Sequence, residues 1–533
     1  MSEMPWERPP EEGVASNQAL SARASTLLES RSLLDATSEA TLPRLTSIVC
    51  TIGPATQSVE MLEKMMEAGM NVARLNFSHG THDYHDLTLN NIRTAVQNYS
   101  RRINRVYPLA VALDTKGPEI RTGNLLEGGD AQIELKVDSE IKLTIDPAYI
   151  DQGTSEVLYI DYPRIVDIVN PGDIVFVDDG QIALCTKEKG PDSLLCTVVN
   201  GGRVAGKRGV NLPGLPVDLP AVTEKDKQDL AFGAQRDFDM VFPSFVRDAA
   251  AVREVRQLMG DKGRSIMIMP KIECHQGVLN IDEIIAEADG IMVARGDLGI
   301  EIPVEKVPIA YHCIVAKCNL VGKPVICATN MLESMVYKPR PTRAEIMDVA
   351  GAVLSGADLV MLSAESAKGM YPLECVRTMA AICRETERAV YHRQVFGDLI
   401  SMVVPPLEPT HSLAIAAVQA AVMCDATAII CTTTSGRSAQ LLSRYRPPCP
   451  VVAVTRFARV ARQLQLYRSV LALLYISPPL DDWLQDVDSR VQYGVSYGKQ
   501  TGFVRPGDAM VLMTGWRAGS GFTNTLRIVY ASI

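Results

Sequence analysis

Two stretches of the 533-residue chain carry charged side chains at spacings that chemistry can use: MPKIECHQG, Met269–Gly277, and IMVARGDLGIEIP, Ile291–Pro303. Each begins as a short apolar strand and runs into a polar loop, so Lys271, Glu273 and Asp297 stand at strand ends. On neighbouring strands, the carboxylates of Glu273 and Asp297 can share one Mg²⁺ and leave sites for water and substrate oxygens. Lys271, beside that ion, can neutralise charge on a phosphoryl group in transit. Taken singly, the first motif also reads as a Lys–Glu pair at a sheet rim and the second as a loop aspartate; the chemical reading needs both.

Arg295-Gly296-Asp297 is predicted to open a helix that begins near Val304 or in a short turn before it. Backbone N–H groups at such a start suit a substrate carboxylate, and Gly296 permits close approach. Two further strand ends are VARLNFSHG, Val72–Gly80, and LDTKGPEIRTG, Leu113–Gly123. There Arg74 can clamp a phosphate. Asn76, Ser78, Asp114 and the Thr115 carbonyl make an oxygen-rich set suited to a hard alkali cation. ICATNMLESM, Ile326–Met335, places Thr329 at another strand end, where its hydroxyl can orient a water or relay a proton to carbon. Each of these residues alone also fits an ordinary loop hydrogen bond.

Parallel strands would bring these groups together. Apolar runs at 48–52, 70–77, 109–115, 240–245, 266–272, 290–295, 323–329 and 358–363 alternate with helical patterns such as Val59–Ala68 and Val304–Leu320. Eight strands each followed by a helix describe a TIM (β/α)₈ barrel, assigned to residues 44–117 and 221–390. Between them, residues 118–220 read as an inserted β-barrel lid domain, with turn signals at Gly128-Gly129, Pro171-Gly172, Asp179-Gly180 and Gly201-Gly202. An insertion after the third strand lies over the barrel face where active sites form. Residues 391–533 read as a C-terminal open α/β sheet domain, with strands at 427–432, 450–456, 471–476 and 508–513 and another at Thr525–Ser532. Residues 1–43, rich in Ser, Pro and Glu, read as a mobile arm with a short helical stretch near Ser25–Leu34.

A composition of 47% apolar and 22% charged residues suits a soluble protein, and a net charge of −9 gives no general pull on nucleic acid. An anionic substrate must then be held by local basic groups. The twelve cysteines form no CxxC pair, no secretory signal is evident and no apolar run is long enough to span a membrane, so a cytoplasmic protein is expected.

The motifs CTIGPAT, MNVARLNFSHG, ALDTKGPEIRTG, GVNLPG, KIE, IMVARGDLGIEIP, KPVICAT, RPTRAE and TGWRAGSGFTNT occur in the same order as in animal pyruvate kinases, which the chain resembles from about residue 44 to its end. The resemblance implies phosphoryl transfer from phosphoenolpyruvate to ADP, giving pyruvate and ATP in glycolysis, with Mg²⁺ (or Mn²⁺) and K⁺, in a homotetramer. It implies that Lys271 stabilises the transferring phosphoryl group, and that Arg74, Gly296, Asp297 and Thr329 contact phosphoenolpyruvate. By the same likeness, Glu273 and Asp297 hold the divalent ion, and Asn76, Ser78, Asp114 and Thr115 hold K⁺. Glu119 matches the K⁺-dependent branch. Pro54, Asn76, His79, Arg121, Lys207 and Arg208 stand at nucleotide contacts, Arg208 replacing a lysine found in many members. In the last domain, Thr433, Thr434, Ser435, Gly436, Arg437 and Ser438 of TTTSGRS, with Trp483, Arg490, Arg517, Gly519, Ser520 and Gly521, resemble an allosteric site for fructose 1,6-bisphosphate. The same hydroxyl-rich turn also reads as an ordinary helix N-cap.

Departures from the family pattern cluster near the chemistry. Pro270 precedes Lys271, Cys274 and Gln276 replace Asn and Glu, and Asn330 replaces Gln. Ile346-Met347 stands for Gly-Ser and Gly351 for Asn; Ala364, Ser366 and Met370 replace Gly, Thr and Asp. A positive φ at Ala364 would strain the backbone. These changes motivate an alternative, a catalytically weak or inactive paralogue that acts as a binding or regulatory subunit. Another phosphoenolpyruvate-using barrel enzyme, a carboxylase or aldolase-like lyase, fits the lid and the C-terminal domain poorly.

Overall fold

The computed structural model describes residues 17–40, 42–128, 131–517 and 521–532. Runs of apolar and β-branched residues form its central strands, which are parallel and mostly buried on both faces. They are Ser47–Thr51, Val72–Asn76, Ala110–Asp114, Met240–Phe242, Met267–Ile268 with Lys271–Ile272, Ile291–Ala294, Val325–Ala328 and Leu359–Leu362. The predicted strand at 266–272 is broken in two, so the sheet counts nine segments. Pro270 is the cause, because it has no N–H to give to the ladder.

Both sides of this broken strand are nonetheless paired. Met269 and Lys271 donate to the carbonyls of Val241 and Pro243, each at 2.9 Å, and the Pro270 carbonyl accepts from Met292 N–H at 2.9 Å. The ring closes, and the fold is the predicted barrel. Helices cover it, among them Val59–Ala68, His82–Arg102 and Val307–Val321.

The insertion forms a seven-stranded sheet and a two-stranded ribbon around its own core, which includes Leu143, Leu158, Val175, Leu184 and Leu194. In the C-terminal domain, Val470–Leu474, Val451–Thr455, Ala428–Thr432 and Ala509–Gly515 run parallel, and Thr523–Tyr530 returns antiparallel. Alternate residues of Ala428–Thr432 face opposite helices. Ile429 and Cys431 share a core with Ala414, Ala417 and Val418, and Ala428 and Ile430 pack with Val487 and Val491.

This domain sits on the barrel's N-terminal rim. Arg446 grips Asp358 at 2.7 and 3.0 Å, Arg462 reaches Asp239 at 2.7 Å, and Ser469 N–H donates to Leu45 O at 2.8 Å. Lower barrel residues such as Val49, Met240 and Leu359 share one continuous core with it.

The expectation of a mobile arm needs correction over 17–40. Two helices, Asn17–Arg23 and Leu27–Ser32, replace the single stretch near Ser25–Leu34, and Tyr391 Oη donates to Ala24 O at 2.9 Å. Residues 1–16 and 41 of the expected arm lie outside the described residues.

Candidate active site

The site residues stand at the opposite, C-terminal rim. Lys271 Nζ lies 3.1 Å from Asp114 Oδ1 and 3.0 Å from Glu273 Oε1, in a buried pocket. Arg74 Nε donates to Asp114 Oδ2 at 2.6 Å, and its Nη1 to Thr51 Oγ1 at 2.8 Å. Burial alone would push Lys271 down; Asp114 and Glu273 outweigh it and hold the ammonium above its usual range. Burial pushes Glu273 up to about 7, against Lys271 and with help from Asp297. Asp297 is also raised, again by burial first, with Lys271 and a hydrogen bond to Glu273 opposing the shift. Burial thus disfavours the charged form of both carboxyl groups.

A divalent cation fits that pair, since it would offset the charge of two buried carboxylates. Among the described residues, no group of three or more His, Cys, Asp or Glu has a metal site's arrangement. The remaining ligands would be water and substrate, as expected for an ion that works on a phosphate. Three carboxylates against two cations leave the ionised pocket negative, so an anionic substrate needs added positive charge.

Ile291–Ala294 runs directly into the helix Arg295–Glu301, which has no side-chain cap. The helix therefore begins at Arg295, and the expected start near Val304 is corrected; Val304–Lys306 is a separate 3₁₀ turn. A Cβ on Gly296 would lie 2.6 Å from Thr329 Cγ2, so only glycine fits that approach. Thr329 has φ +75° and Asn330 +56°, left-handed values that the seventh strand's end imposes.

Parts of the oxygen-rich set lie near one another. Asn76 and Asp114 are register partners, Asn76 Oδ1 accepts from Ser78 N–H at 3.1 Å, and the Thr115 carbonyl accepts from the Ser244 hydroxyl. Amide, carboxylate and carbonyl oxygens of this kind suit a hard monovalent ion.

Residues 43–376 match the family model described as "Pyruvate kinase, barrel domain", and residues 411–529 match "Pyruvate kinase, alpha/beta domain". The chain belongs to the pyruvate kinase family. It is 53% identical over 515 residues to Pyruvate kinase PKLR of Homo sapiens, covering 97% of this chain and 90% of that one. It is 48% identical to Pyruvate kinase 1 of Trypanosoma brucei brucei over 91% of this chain and 96% of the relative, and 46% identical to Pyruvate kinase of Candida albicans over 92% and 96%.

Other expected parts of a pyruvate kinase site are less closely joined. On the lid, Arg121 pairs with Glu119 and donates to Lys207 O at 3.0 Å, while Arg208 lies 3.4 Å from Asp178. Pro54 and His79 are exposed on the barrel, and among the described residues no hydrogen bond or ion pair links them to that lid group.

In the C-terminal domain a cavity of about 60 Å³ is lined by Thr433, Thr434, Ser435, Arg437, Ser438, Trp483, Arg490, Arg517 and Gly521. Gly436, at φ +88°, donates to Thr433 Oγ1 at 3.0 Å. Arg490 lies over the Trp483 ring at 5.1 Å, and the buried Trp483 Nε1 has no partner among the described residues. Gly519 and Ser520 lie outside the described residues.

Two of the departures from the pyruvate kinase pattern leave the local structure unstrained. Ala364 starts the helix Ala364–Ala367, so the strain considered for it does not arise. Ser366 Oγ still donates to Thr51 O at 2.9 Å. Nothing in the structure explains Gly351, where an added Cβ would meet no atom within 4 Å. Sequence reading missed Thr51, Ser244 and the buried Glu365, which accepts from Leu332 and Ser363 N–H at 3.2 and 2.7 Å. Their partners are far away in sequence or backbone groups, so no motif marks them.

Proposed function

We propose that this family member transfers the phosphoryl group of phosphoenolpyruvate to ADP, giving pyruvate and ATP in glycolysis. The observation that carries this reading is the convergence of Lys271, Glu273, Asp297, Asp114 and Arg74 in one buried pocket at the barrel mouth.

Arg74 binds the phosphate, and the first N–H groups of the helix at Arg295, opened by Gly296, receive the carboxylate. The bond from phosphorus to the enol oxygen breaks as one to the terminal ADP oxygen forms. Lys271 offsets the charge on the phosphoryl oxygens during this passage; a preorganised contact of this kind is worth on the order of 3 kcal/mol. Glu273 and Asp297 would hold Mg²⁺ or Mn²⁺, which supplies positive charge to the enol and phosphoryl oxygens when bound. Asn76, Ser78, Asp114 and Thr115 would hold K⁺, which adds field near the phosphate. Thr329 directs a water that gives a proton to the methylene carbon of the enolate. Pro54, Asn76 and His79 from the barrel, with Arg121, Lys207 and Arg208 from the lid, take the nucleotide when the lid closes.

The hydroxyl-rich cavity of the C-terminal domain, with its unpartnered indole N–H, suits fructose 1,6-bisphosphate as an effector. A homotetramer accounts for the exposed Tyr337, Met347 and Met370. A cytoplasmic location agrees with twelve unpaired cysteines, and no helix among the described residues is long and apolar enough to cross a membrane.

A lactate dehydrogenase-coupled assay with Mg²⁺ and K⁺, with and without fructose 1,6-bisphosphate, tests the reading. Turnover that needs ADP and both ions is expected. No activity at any concentration of the substrates or the bisphosphate would overturn it in favour of a non-catalytic binding subunit.

A further inference from the structure

Thr329 is a β-branched residue held at φ +75°, a conformation that such residues avoid. One side chain holds the backbone on either side of the Ala328–Thr329 peptide. Arg295 Nε donates to Ala328 O at 3.2 Å and Nη2 to Thr329 O at 2.8 Å. The far edge of the same guanidinium forms a bidentate pair with Asp348, at 2.6 and 2.7 Å. Arg295 is largely buried, and Asp348 projects from the helix Arg343–Ser355. The next residue after Arg295 is Gly296, whose Cα faces the Thr329 methyl so closely that no Cβ fits.

We propose that Arg295 and Asp348 act as a positioning clamp, which fixes Thr329 and Gly296 relative to one another and so sets where the Thr329 hydroxyl holds the water that protonates carbon. This rests on the reading of Thr329 given above. Neither residue touches the reacting atoms. The fork geometry is essential: a guanidinium can serve two carbonyls on one side and a carboxylate on the other, and an ammonium cannot. Among the described residues the Thr329 hydroxyl makes no protein hydrogen bond, so its direction depends on the backbone that Arg295 holds. Without the clamp, Thr329 can relax toward extended φ, which swings its hydroxyl away and opens the gap beside Gly296.

The test compares full-length Arg295→Gln, Arg295→Lys, Asp348→Asn and the double variant Arg295→Gln/Asp348→Asn with the unmodified protein. Two rates are read: coupled turnover, and exchange of the pyruvate methyl hydrogens with D₂O by NMR, which runs the carbon protonation step backwards. Both should fall together in Arg295→Gln, by roughly 100-fold, as for a misplacement of about 1 Å, with the KM for ADP within about twofold. Arg295→Lys should not rescue. Asp348→Asn should lose about tenfold, and the double variant should be no worse than Arg295→Gln, because the pair acts as a unit.

Asp348→Asn keeps both carbonyl contacts and carries the test if Arg295→Gln does not fold. Turnover and exchange within threefold of the unmodified protein in both single variants, or losses that multiply in the double variant, would overturn the clamp alone. An unmodified protein with neither turnover nor exchange would overturn the phosphoryl-transfer reading and the clamp's role with it.

Discussion

Lys271 stands between two acids, 3.1 Å from Asp114 and 3.0 Å from Glu273, and this sets what its loss should do. Lys271→Met should cut turnover by about two orders of magnitude, since a charge contact made in the transition state disappears, and weaken phosphoenolpyruvate binding much less. Coupled kinetics beside calorimetric binding would check this, and near-normal turnover would refute the role. The raised Glu273 gives a second expectation. With a pKa of about 7 before metal binds, the carboxyl is mostly protonated at pH 6 and mostly ionised at pH 8. An ion binds the ionised form, so Mn²⁺ affinity should rise across that interval and protons should be released on binding. Titration by paramagnetic resonance at both pH values reads it; equal affinities would show that Glu273 is not a ligand. The charged members of this cluster were legible in the sequence because each lies in or just beyond a short apolar run. Thr51 was not, because its bond to Arg74 joins residues with no shared motif.

At the scale of elements, the sequence marks strands better than it marks their ends. The run at 323–329 was legible to within two residues as Val325–Ala328, because burial on both faces demands apolar residues throughout. The start of the helix at Arg295 is not legible, since it follows its strand with no capping side chain to announce it. Pro270 was legible as a lost ladder bond, and the strand does divide there. Gly117 marks the entrance to the lid with φ +74°, and a Cβ there would lie 2.6 Å from Ser244 Cβ. Gly117→Ala should therefore cost on the order of 1–3 kcal/mol and disturb Thr115, whose hydroxyl accepts from Ser244 N–H. A fall in the melting midpoint, with weaker K⁺ activation, is the expected result; an unchanged midpoint would mean that the hinge absorbs the methyl.

At the scale of the whole molecule, Tyr337, Met347 and Met370 lie exposed at 73, 70 and 67%. Composition shows how many apolar residues a chain has, while only the fold shows which stay uncovered. If this face joins copies of the chain, Met347→Glu should shift the mass seen by light scattering from that of a tetramer toward the 58.1 kDa of one chain. An unchanged tetramer would place the contact elsewhere.

The shared core beneath the barrel limits how the polypeptide can be dissected. Met240 and Leu359 pack in the same apolar body as Ile429 and Val451, and the buried Asp358 pairs there with Arg446, which enters from the other side. A gene cut near residue 390 would leave one fragment with a stranded carboxylate and the other with a stranded guanidinium, each on a greasy wound. Produced apart, such halves should precipitate; produced together, they have every reason to find each other again.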